Sequence, residues 1–261
     1  DSDYNAVAKA YQKRIPVVLT LDNWWTGSLK QRLAALTAPC FIHRRFNRAW
    51  VPGEPQIPFA QKLGFSGSSL ATGFYCADPK PFQAIYEKRK TTSPSKKILY
   101  IGRYLDVKGV RELWAAFMGL SDEFPEWELH CIGTGELWDS RAIHPKIIHH
   151  GFKQPHELEP HLVDAACFVM PSKKEPWGVV LNEMAIAGLP LLASKQVGSA
   201  TLFLDEDKNG LIIALSNLQK RLRKFLMLTS QERIAMAEKS HRLGLQSTPA
   251  DWANQLLTLI Q

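Results

Sequence analysis

From about residue 97 onward, short continuous apolar runs alternate with amphipathic segments, and few folds are compatible with this alternation. The apolar runs are ILYIG (98–102), WELHCIG (127–133), KIIHHG (146–151), CFVM (167–170), PLLAS (190–194) and LII (211–213). Strands that are apolar along their whole length are typical of a parallel sheet covered by helices on both faces. Ligands of such sheets bind beyond the carboxyl ends of the strands.

The segments between these runs have helical periodicity. Val110, Leu113, Trp114 and Phe117 follow the i, i+3, i+4, i+7 spacing of an amphipathic helix. We also predict helices over residues 156–166 and 178–186, two amphipathic helices after residue 213, and a tail helix over 250–260. The fold class predicted for this part of the chain is therefore α/β with a parallel sheet.

The first 86 residues have the same pattern but supply only half a domain. They read as a strand over 16–21, a helix over 28–36 and a short strand over 48–51. The polar segment EKRKTTSPSKK (87–97) reads as a linker. We predict a partial N-terminal domain (1–92), a C-terminal domain (93–248) and a helix (249–261) that returns to the first domain. On this interpretation the chain begins inside a domain.

Composition limits the classes of function. The chain has 261 residues, 45% of them hydrophobic, with no apolar run long enough to span a membrane and no signal peptide at its start, so we expect a cytoplasmic protein. The four cysteines are far apart and read as buried thiols, not as a metal cluster.

A net charge of +7 fits nucleic acid, anionic lipid or an anionic small ligand. The basic residues are scattered, so nucleic acid fits least well.

The loop sequence GRYLDVKG (102–109) follows the first apolar run directly. It places Arg103 and Lys108 at the carboxyl end of a strand. A planar guanidinium and a compact ammonium together match a diphosphate. Two solvated loop cations are the alternative interpretation.

The stretch PSKKEPWGVVLNE (171–183) follows the run CFVM. It places Glu175 before a helix N-terminus at Gly178, and Glu183 within that helix. The first N–H groups of a helix lack intrahelical partners and bind anions. Alternatively, Glu175 only complements the helix dipole, and Glu183 is a surface residue.

The two glutamates do not have the spacing of a hydrolytic pair. If a helix ran through both, eight residues (183 minus 175) at about 1.5 Å each would separate them by about 12 Å. Hydrolytic carboxylate pairs are about 5 to 9.5 Å apart. A long ligand gripped at both ends, such as a nucleotide sugar, suits the spacing better.

Five segments taken together resemble the retaining glycosyltransferases of family four. They are ILYIGRYLDVKGV, ELHCIGTGE, IIHHGFKQPHEL, VMPSKKEPWGVVLNEMAIAGLPLLAS and VGSATLFLDEDKNGLII, in the family's order. The resemblance is strong over residues 97–213 and weak over 16–86 and the tail. It implies the GT-B fold, with two Rossmann-like domains of which the N-terminal one is incomplete here.

The resemblance implies a donor site for a nucleoside-diphosphate sugar, with no metal and no cofactor. Arg103 and Lys108 would bind the diphosphate, and Glu175 the sugar. The remaining donor-binding residues would be Gly178 and Val179 through their amides, Glu183 on the ribose, and Phe152 and Lys153 beside the base. The acceptor would be a saccharide or a lipid-linked saccharide in polysaccharide, lipopolysaccharide or glycolipid synthesis.

The chain departs from the family pattern in its first region. The family's first strand and glycine-rich loop have no counterpart before Asp1, and LDNWW stands where the family often has a His-Asp pair. Asp22, Trp24 and Trp25 are the acceptor-side candidates, with packing against the next helix as the alternative for both tryptophans. We assign His149 and His150 a structural role.

Three other functions fit parts of the pattern. A GT-B epimerase would act on the nucleotide sugar itself, and a nucleotide-sugar-binding protein would bind donor without transfer. A nucleic-acid-binding module rests on charge alone. Peripheral contact with the inner face of a membrane would fit a lipid-linked acceptor, with an ordinary solvated surface as the alternative. It would use basic residues of the first region, namely Lys13, Arg14, Arg44, Arg45 and Arg48.

Overall fold

The computed structural model describes residues 2–11 and 14–261 and divides into two compact units. The first unit comprises Asp1–Cys76 and Ser247–Gln261, and the second comprises Ala77–Gln246. The division therefore precedes the charged segment 87–97, in which the sequence analysis places the linker. Residues 87–89 instead end a helix of the second unit.

The strands are β1 (Val18–Thr20), β2 (Arg48–Trp50), β3 (Leu70–Ala71), β4 (Lys97–Ile101), β5 (Glu128–Ile132), β6 (Ile147–His149), β7 (Cys167–Met170), β8 (Leu191–Ser194) and β9 (Gly210–Ile213). The helices are α1 (Ser2–Tyr11), α2 (Leu29–Phe41), α3 (Ile57–Lys62), α4 (Pro79–Arg89), α5 (Val110–Met118), α6 (Glu159–Leu162), α7 (Val179–Ile186), α8 (Ala200–Phe203), α9 (Leu218–Leu226), α10 (Ser230–Gly244) and α11 (Pro249–Ile260).

The second unit is built on a parallel sheet with the strand order β6-β5-β4-β7-β8-β9 among the described residues. The apolar runs predicted as strands all lie in it. β7 and β8 are buried along their whole length, because helices cover both faces. The predicted α/β class with parallel sheets is confirmed.

Alternation along the strands separates the two faces of this sheet. Leu129 and Cys131 of β5 belong to the core beneath α5 and α9, together with Leu113 and Leu222. His130, between them on β5, therefore points to the opposite face. On that face α7 packs against α4 and α10.

The first unit contains the parallel sheet β1-β2-β3. Helix α11 belongs to this unit, although it is the last element of the chain. The Trp252 ring packs 4.9 Å from the Trp50 ring, and its indole N–H donates to the Phe74 carbonyl at 2.8 Å. No helix in the described ranges is long and apolar enough to cross a membrane.

The helix predicted over residues 156–166 is much shorter in the structure. A 3₁₀ turn covers Pro155–Glu157, and α6 ends at Leu162. The chain turns there because the Ala166 N–H already donates to the Lys97 carbonyl at the edge of β4. The Asp164 carbonyl also accepts from the Ser95 N–H at 2.7 Å.

Two cysteines of the second unit are inert thiols. Cys131 and Cys167 lie on central strands and are fully buried, as predicted, whereas Cys40 of the first unit is exposed and Cys76 is half-buried, so the prediction of burial is wrong for Cys40. Burial raises the pKa of the Cys131 thiol to about 12 and also raises that of Cys167. Neither thiol is suited to act as a nucleophile at neutral pH.

Candidate functional site

The loop after β4 carries the two predicted phosphate-binding cations. Arg103 is exposed, and its position is set by Tyr104, whose side chain is fully buried in the core below. The backbone N–H of Tyr104 donates to the Thr134 carbonyl at 2.8 Å, which ties this loop to the loop after β5. Among the described contacts, none involves the Arg103 guanidinium, so it is available to a ligand.

Lys108 lies at the end of the same loop, in the 3₁₀ turn Asp106–Lys108. Its ammonium donates to Glu175 Oε2 across the gap to the loop after β7. Both side chains are largely buried, with 19% of Lys108 and 13% of Glu175 exposed. The structure thus brings two predicted site residues into direct contact, although they are far apart in sequence.

The backbone of Glu175 is held on both sides. Its N–H donates to the Gln196 carbonyl at 3.0 Å, and its carbonyl accepts from the Gly198 N–H at 3.1 Å. This short bridge fixes the carboxylate above the ends of β7 and β8. Glu175 is therefore a positioned group and not a mobile loop side chain.

Gly178 precedes α7 in a left-handed conformation, with φ of 89°. A Cβ atom there would lie 2.8 Å from the Met170 methyl and 3.0 Å from Glu175 Cγ. The Gly178 carbonyl accepts from the Ser199 hydroxyl at 2.9 Å. Because α7 starts at Val179, Glu175 lies in the loop before the helix and Glu183 within it, as the sequence predicts.

Glu183 lies on α7 and is only partly accessible. Burial raises the pKa of its carboxyl group. No hydrogen bond or ion pair to this carboxylate occurs within the part of the chain that the structure describes. Its neighbour Asn182, in contrast, has a structural role. Its Oδ1 accepts from the Ala77 N–H at 3.0 Å, and its Nδ2 donates to the Gly244 carbonyl at 2.8 Å.

Gly109 is a site-building residue that the sequence analysis missed. Its φ is 67°, and a Cβ atom would lie 2.2 Å from the Pro171 carbonyl oxygen. Only glycine allows the loop after β4 to approach the end of β7 this closely. The glycine directly after Lys108 in VKGV was the available signal.

Lys173 joins the same two loops from the other side. Its ammonium pairs with Asp106 at 2.8 Å and with Glu112 at 2.6 Å. Its backbone N–H donates to the Val107 carbonyl at 2.8 Å. These contacts support the approach of Lys108 to Glu175.

The predicted base-side residues lie after β6. Phe152 is 63% exposed, and Lys153 pairs with Glu157 at 3.6 Å. Lys153 is thus bound within its own loop and not to another predicted site residue. An exposed phenyl ring of this kind offers a surface on which a flat ligand can stack.

The acceptor-side candidates belong to the first unit. Asp22 accepts a hydrogen bond from Tyr75, and burial together with Asp22 raises the pKa of that tyrosine. The Trp24 carbonyl accepts from the Gln31 amide at 2.6 Å. The Trp25 ring packs 5.7 Å from the Phe59 ring, so part of it contributes to the core of this unit.

His149 has both ring nitrogens engaged inside the second unit. Nδ1 lies 2.8 Å from the Tyr104 hydroxyl, and Nε2 lies 2.9 Å from the Ala142 carbonyl oxygen. Burial lowers its pKa. These contacts support the structural role expected for this residue.

Comparison with known families gives the class of the protein. The model of the family described as "Glycosyl transferases group 1" matches residues 82–244, more than half of the chain. The chain belongs to the group 1 glycosyl transferases. The matched range contains Arg103, Lys108, Glu175, Gly178 and Glu183.

One curated relative of this glycosyl transferase is an "Uncharacterized glycosyltransferase" of Haemophilus influenzae. The two are 20% identical over 169 residues, which cover 60% of this chain and 48% of the relative. The chain therefore spans about half the length of that protein.

Solved structures show the same fold. Anabaena Alr3699/HepE in complex with UDP and glucose matches with a TM-score of 0.74 and 15% identity, over 98% of this chain and 74% of HepE. WaaG, "a glycosyltransferase involved in lipopolysaccharide biosynthesis", matches with a TM-score of 0.69 and 17% identity, over 99% of this chain and 81% of WaaG. This glycosyl transferase therefore has the GT-B architecture expected from its sequence.

Proposed function

We propose that this chain binds a nucleoside-diphosphate sugar and supports transfer of the sugar to an acceptor hydroxyl with retention of anomeric configuration. The observation that carries the proposal is the unpaired, partly buried Glu183 carboxylate on α7. A carboxylate buried without a partner loses hydration, so it is stabilised when a ligand hydroxyl pair supplies hydrogen bonds. A ribose has such a pair of hydroxyls.

The other predicted residues fit the rest of such a donor. Arg103, whose guanidinium has no described contact, lies in the same loop as Lys108, and the two would bind the diphosphate. Glu175, held by its backbone next to Gly178, would accept hydrogen bonds from the sugar hydroxyls. The amides of Gly178 and Val179, at the start of α7, would face the phosphates.

The proposed chemistry is electrostatic. As the bond between the anomeric carbon and the phosphate oxygen breaks, negative charge develops on the leaving diphosphate. Arg103 and Lys108 would stabilise this charge, which is how fixed cations lower a barrier in a partly desolvated site. The acceptor hydroxyl would attack from the face that the diphosphate leaves and pass its proton to a phosphate oxygen. No protein nucleophile is assigned.

The comparisons support this class of donor and acceptor. The HepE structure that shares this fold holds UDP and glucose, which are the parts of a nucleotide sugar. WaaG is described as acting in lipopolysaccharide biosynthesis, which supports a saccharide or lipid-linked acceptor. We infer that the acceptor is bound by the first unit, where Asp22, Trp24 and Trp25 remain the candidates.

Peripheral membrane contact at the cytoplasmic face is the proposed way to reach a lipid-linked acceptor. Arg14 and Arg44 are exposed, and they would face anionic lipid. Arg45 and Arg48 donate to the Phe41 and Leu259 carbonyls, at 3.1 and 3.3 Å, which reduces their availability. Lys13 lies outside the described residues.

The donor assignment is tested by calorimetric titration with a panel of nucleoside diphosphates and their sugars. We expect binding of one nucleotide class, weakened at least about 10-fold in Arg103→Ala and in Glu183→Ala. Arg111→Ala is the matched control, because Arg111 is exposed on α5 and donates to Ser140. Absence of binding, or equal binding by parent and both variants, would contradict the assignment.

Transfer is tested separately from binding. The protein is incubated with the bound nucleotide sugar and saccharide acceptors, and the anomeric configuration of the product is read by NMR. An α-linked product from an α-linked donor supports retention. Nucleotide release without transfer, or an altered sugar on the nucleotide, would favour a binding protein or an epimerase instead.

A further inference from the structure

Three histidines converge on the face of the second sheet that carries α6. His130 lies on β5, His150 directly follows β6, and His161 lies in α6. One ring nitrogen from each lies within 4.8 Å of the others. Alternation puts His130 and His150 on the same face, whereas His149 points to the opposite core.

The spacing of the rings suits a single small cation. His150 Nε2 lies 3.0 Å from His130 Nδ1, and the rings of His150 and His161 are 4.4 Å apart between centroids, at an angle of 58°. Nitrogen ligands at about 2.0–2.1 Å from a tetrahedral Zn²⁺ ion are about 3.3 Å from one another. The nitrogen atoms of the three rings are 3.0 Å to at most 4.8 Å apart, so each separation would change by at most about 1.5 Å to reach that spacing.

The Glu128 carboxylate fixes the tautomer of the His130 imidazole. The Glu128 carboxylate lies 3.1 Å from His130 Nε2, so this nitrogen carries the proton and donates. His130 Nδ1 is then an acceptor, and His150 Nε2 donates to it across the 3.0 Å contact between the two rings. An ion bound by both nitrogens would replace this hydrogen bond, with the His150 proton carried on Nδ1 instead. A carboxylate behind a histidine is the usual outer partner of a metal-binding imidazole, because it fixes the tautomer and raises the basicity of the ligand atom.

Charges of both signs surround the cluster. Lys97 and Lys153 disfavour added positive charge there, but Lys97 is paired with Asp164 and Lys153 with Glu157 at 3.6 Å. The carboxylates of Glu128 and Asp164 act in the opposite direction and favour a cation.

We propose that His130, His150 and His161 form a binding site for one divalent transition-metal ion of the zinc class. Three imidazoles occupy three positions of a tetrahedron, and water takes the fourth. The ion would join β5, the end of the edge strand β6 and α6. The site lies apart from the proposed donor residues on α7 and in the loop after β4, but His150 is two residues before Phe152 of the predicted base-side loop. We expect a bound ion to stabilise the fold.

The probe is Co²⁺ or Zn²⁺ alone, added to the untagged full chain after treatment with a chelator. Co²⁺ titration is followed by visible absorption, because tetrahedral Co²⁺ has a strong d–d band, and Zn²⁺ binding is measured by calorimetry. We expect one ion per chain and a rise in Tm with Zn²⁺. Binding should weaken at least about 100-fold in His130→Ala and His161→Ala, and about 10-fold in Glu128→Gln.

His156→Ala is the matched control, because His156 is exposed in the turn before α6. Circular dichroism and Tm of the metal-free proteins show whether each variant folds. A parent that binds no ion overturns the proposal, and so does binding that survives in both histidine variants. Neither result bears on nucleotide binding, which is measured without added metal.

Discussion

Lys108 Nζ donates to Glu175 Oε2 and so joins the loop after β4 to the loop after β7. The two strands are neighbours in the parallel sheet, so their carboxyl ends lie side by side. The ion pair therefore forms at the edge of the sheet where the carboxyl ends of β4 and β7 lie. Each partner is largely shielded from water, so each depends on the other or on a ligand for its charge.

We expect Lys108→Met and Glu175→Gln to be coupled in their effect on stability. Each single change leaves the other group poorly compensated, while the double change removes both. The free energy of unfolding, from urea denaturation of all four proteins, should give a coupling of about 1–3 kcal/mol. Additive effects would show that the pair is not a functional unit of the fold.

Lys108→Met should also lower kcat/KM for glycosyl transfer at least about 100-fold, because a fixed cation facing the leaving diphosphate is removed. Lys173→Met is the matched control, since Lys173 joins the same two loops but is not aimed at the proposed donor. Initial rates with saturating acceptor measure the effect. Equal losses in both variants would assign the effect to loop structure and not to phosphate binding.

Arg103→Ala should weaken diphosphate binding without changing stability. The guanidinium is exposed and has no contact in the described parts of the protein, so its removal costs the fold little. Nucleotide affinity should fall about 10- to 100-fold, while Tm without ligand stays within about 1 °C of the parent. A clear fall in Tm would show that Arg103 has a structural role.

Glu183→Gln should stabilise the protein at neutral pH while impairing nucleotide binding. The pKa of Glu183 in the folded state is raised above 4.5 by burial, so its ionisation costs folding stability as pH rises through that folded pKa. The variant should therefore have the higher Tm at about pH 8, and the difference should vanish below pH 4.5, where both proteins are neutral at this position.

Glu238→Gln is the control for this comparison, because Glu238 is an exposed carboxylate on α10. Its Tm should follow that of the parent at all pH values. A Glu183→Gln protein that is less stable than the parent at about pH 8 would show that the carboxylate has an internal partner.

Gly109→Ala should be much more destabilising than Gly73→Ala. Both glycines have positive φ, 67° and 87°, but a Cβ at Gly73 meets nothing within 4 Å, whereas at Gly109 it meets the Pro171 carbonyl at 2.2 Å. The backbone conformation costs about 1–2 kcal/mol in both variants, and the collision adds about 1–3 kcal/mol at Gly109. Urea denaturation measures the difference, and equal losses would contradict the close approach of the loops.

The strands of the second unit could be predicted closely from sequence, since each is an apolar run bounded by polar or glycine residues. CFVM is the strand Cys167–Met170 without change. Helices were less well predicted where tertiary contacts compete. Residues 163–166 look helical but turn toward β4, and Pro79–Arg89 was missed because its charged end resembled a linker.

The positions of the proposed donor residues can be predicted from sequence because the loops that carry them directly follow strands, and a parallel sheet brings such loops together at one edge. The contacts between these residues could not be predicted from sequence. The contact of Lys108 with Glu175, the isolation of Glu183 and the cluster of His130, His150 and His161 all depend on which strands become neighbours. The sequence HHG does not by itself reveal that His149 and His150 point to opposite faces of the sheet.

The sequence by itself determined the α/β class, the positions of the strands and the chemical types available at their ends, because local hydrophobic pattern and turn residues act over short distances. Only the tertiary structure decided which charged side chains form ion pairs and which remain available to a ligand. That outcome depends on the order β6-β5-β4-β7-β8-β9 and on the close approach at Gly109, which bring together residues distant in the chain. Burial then sets the electrostatics of each group, and burial is a property of the packed fold.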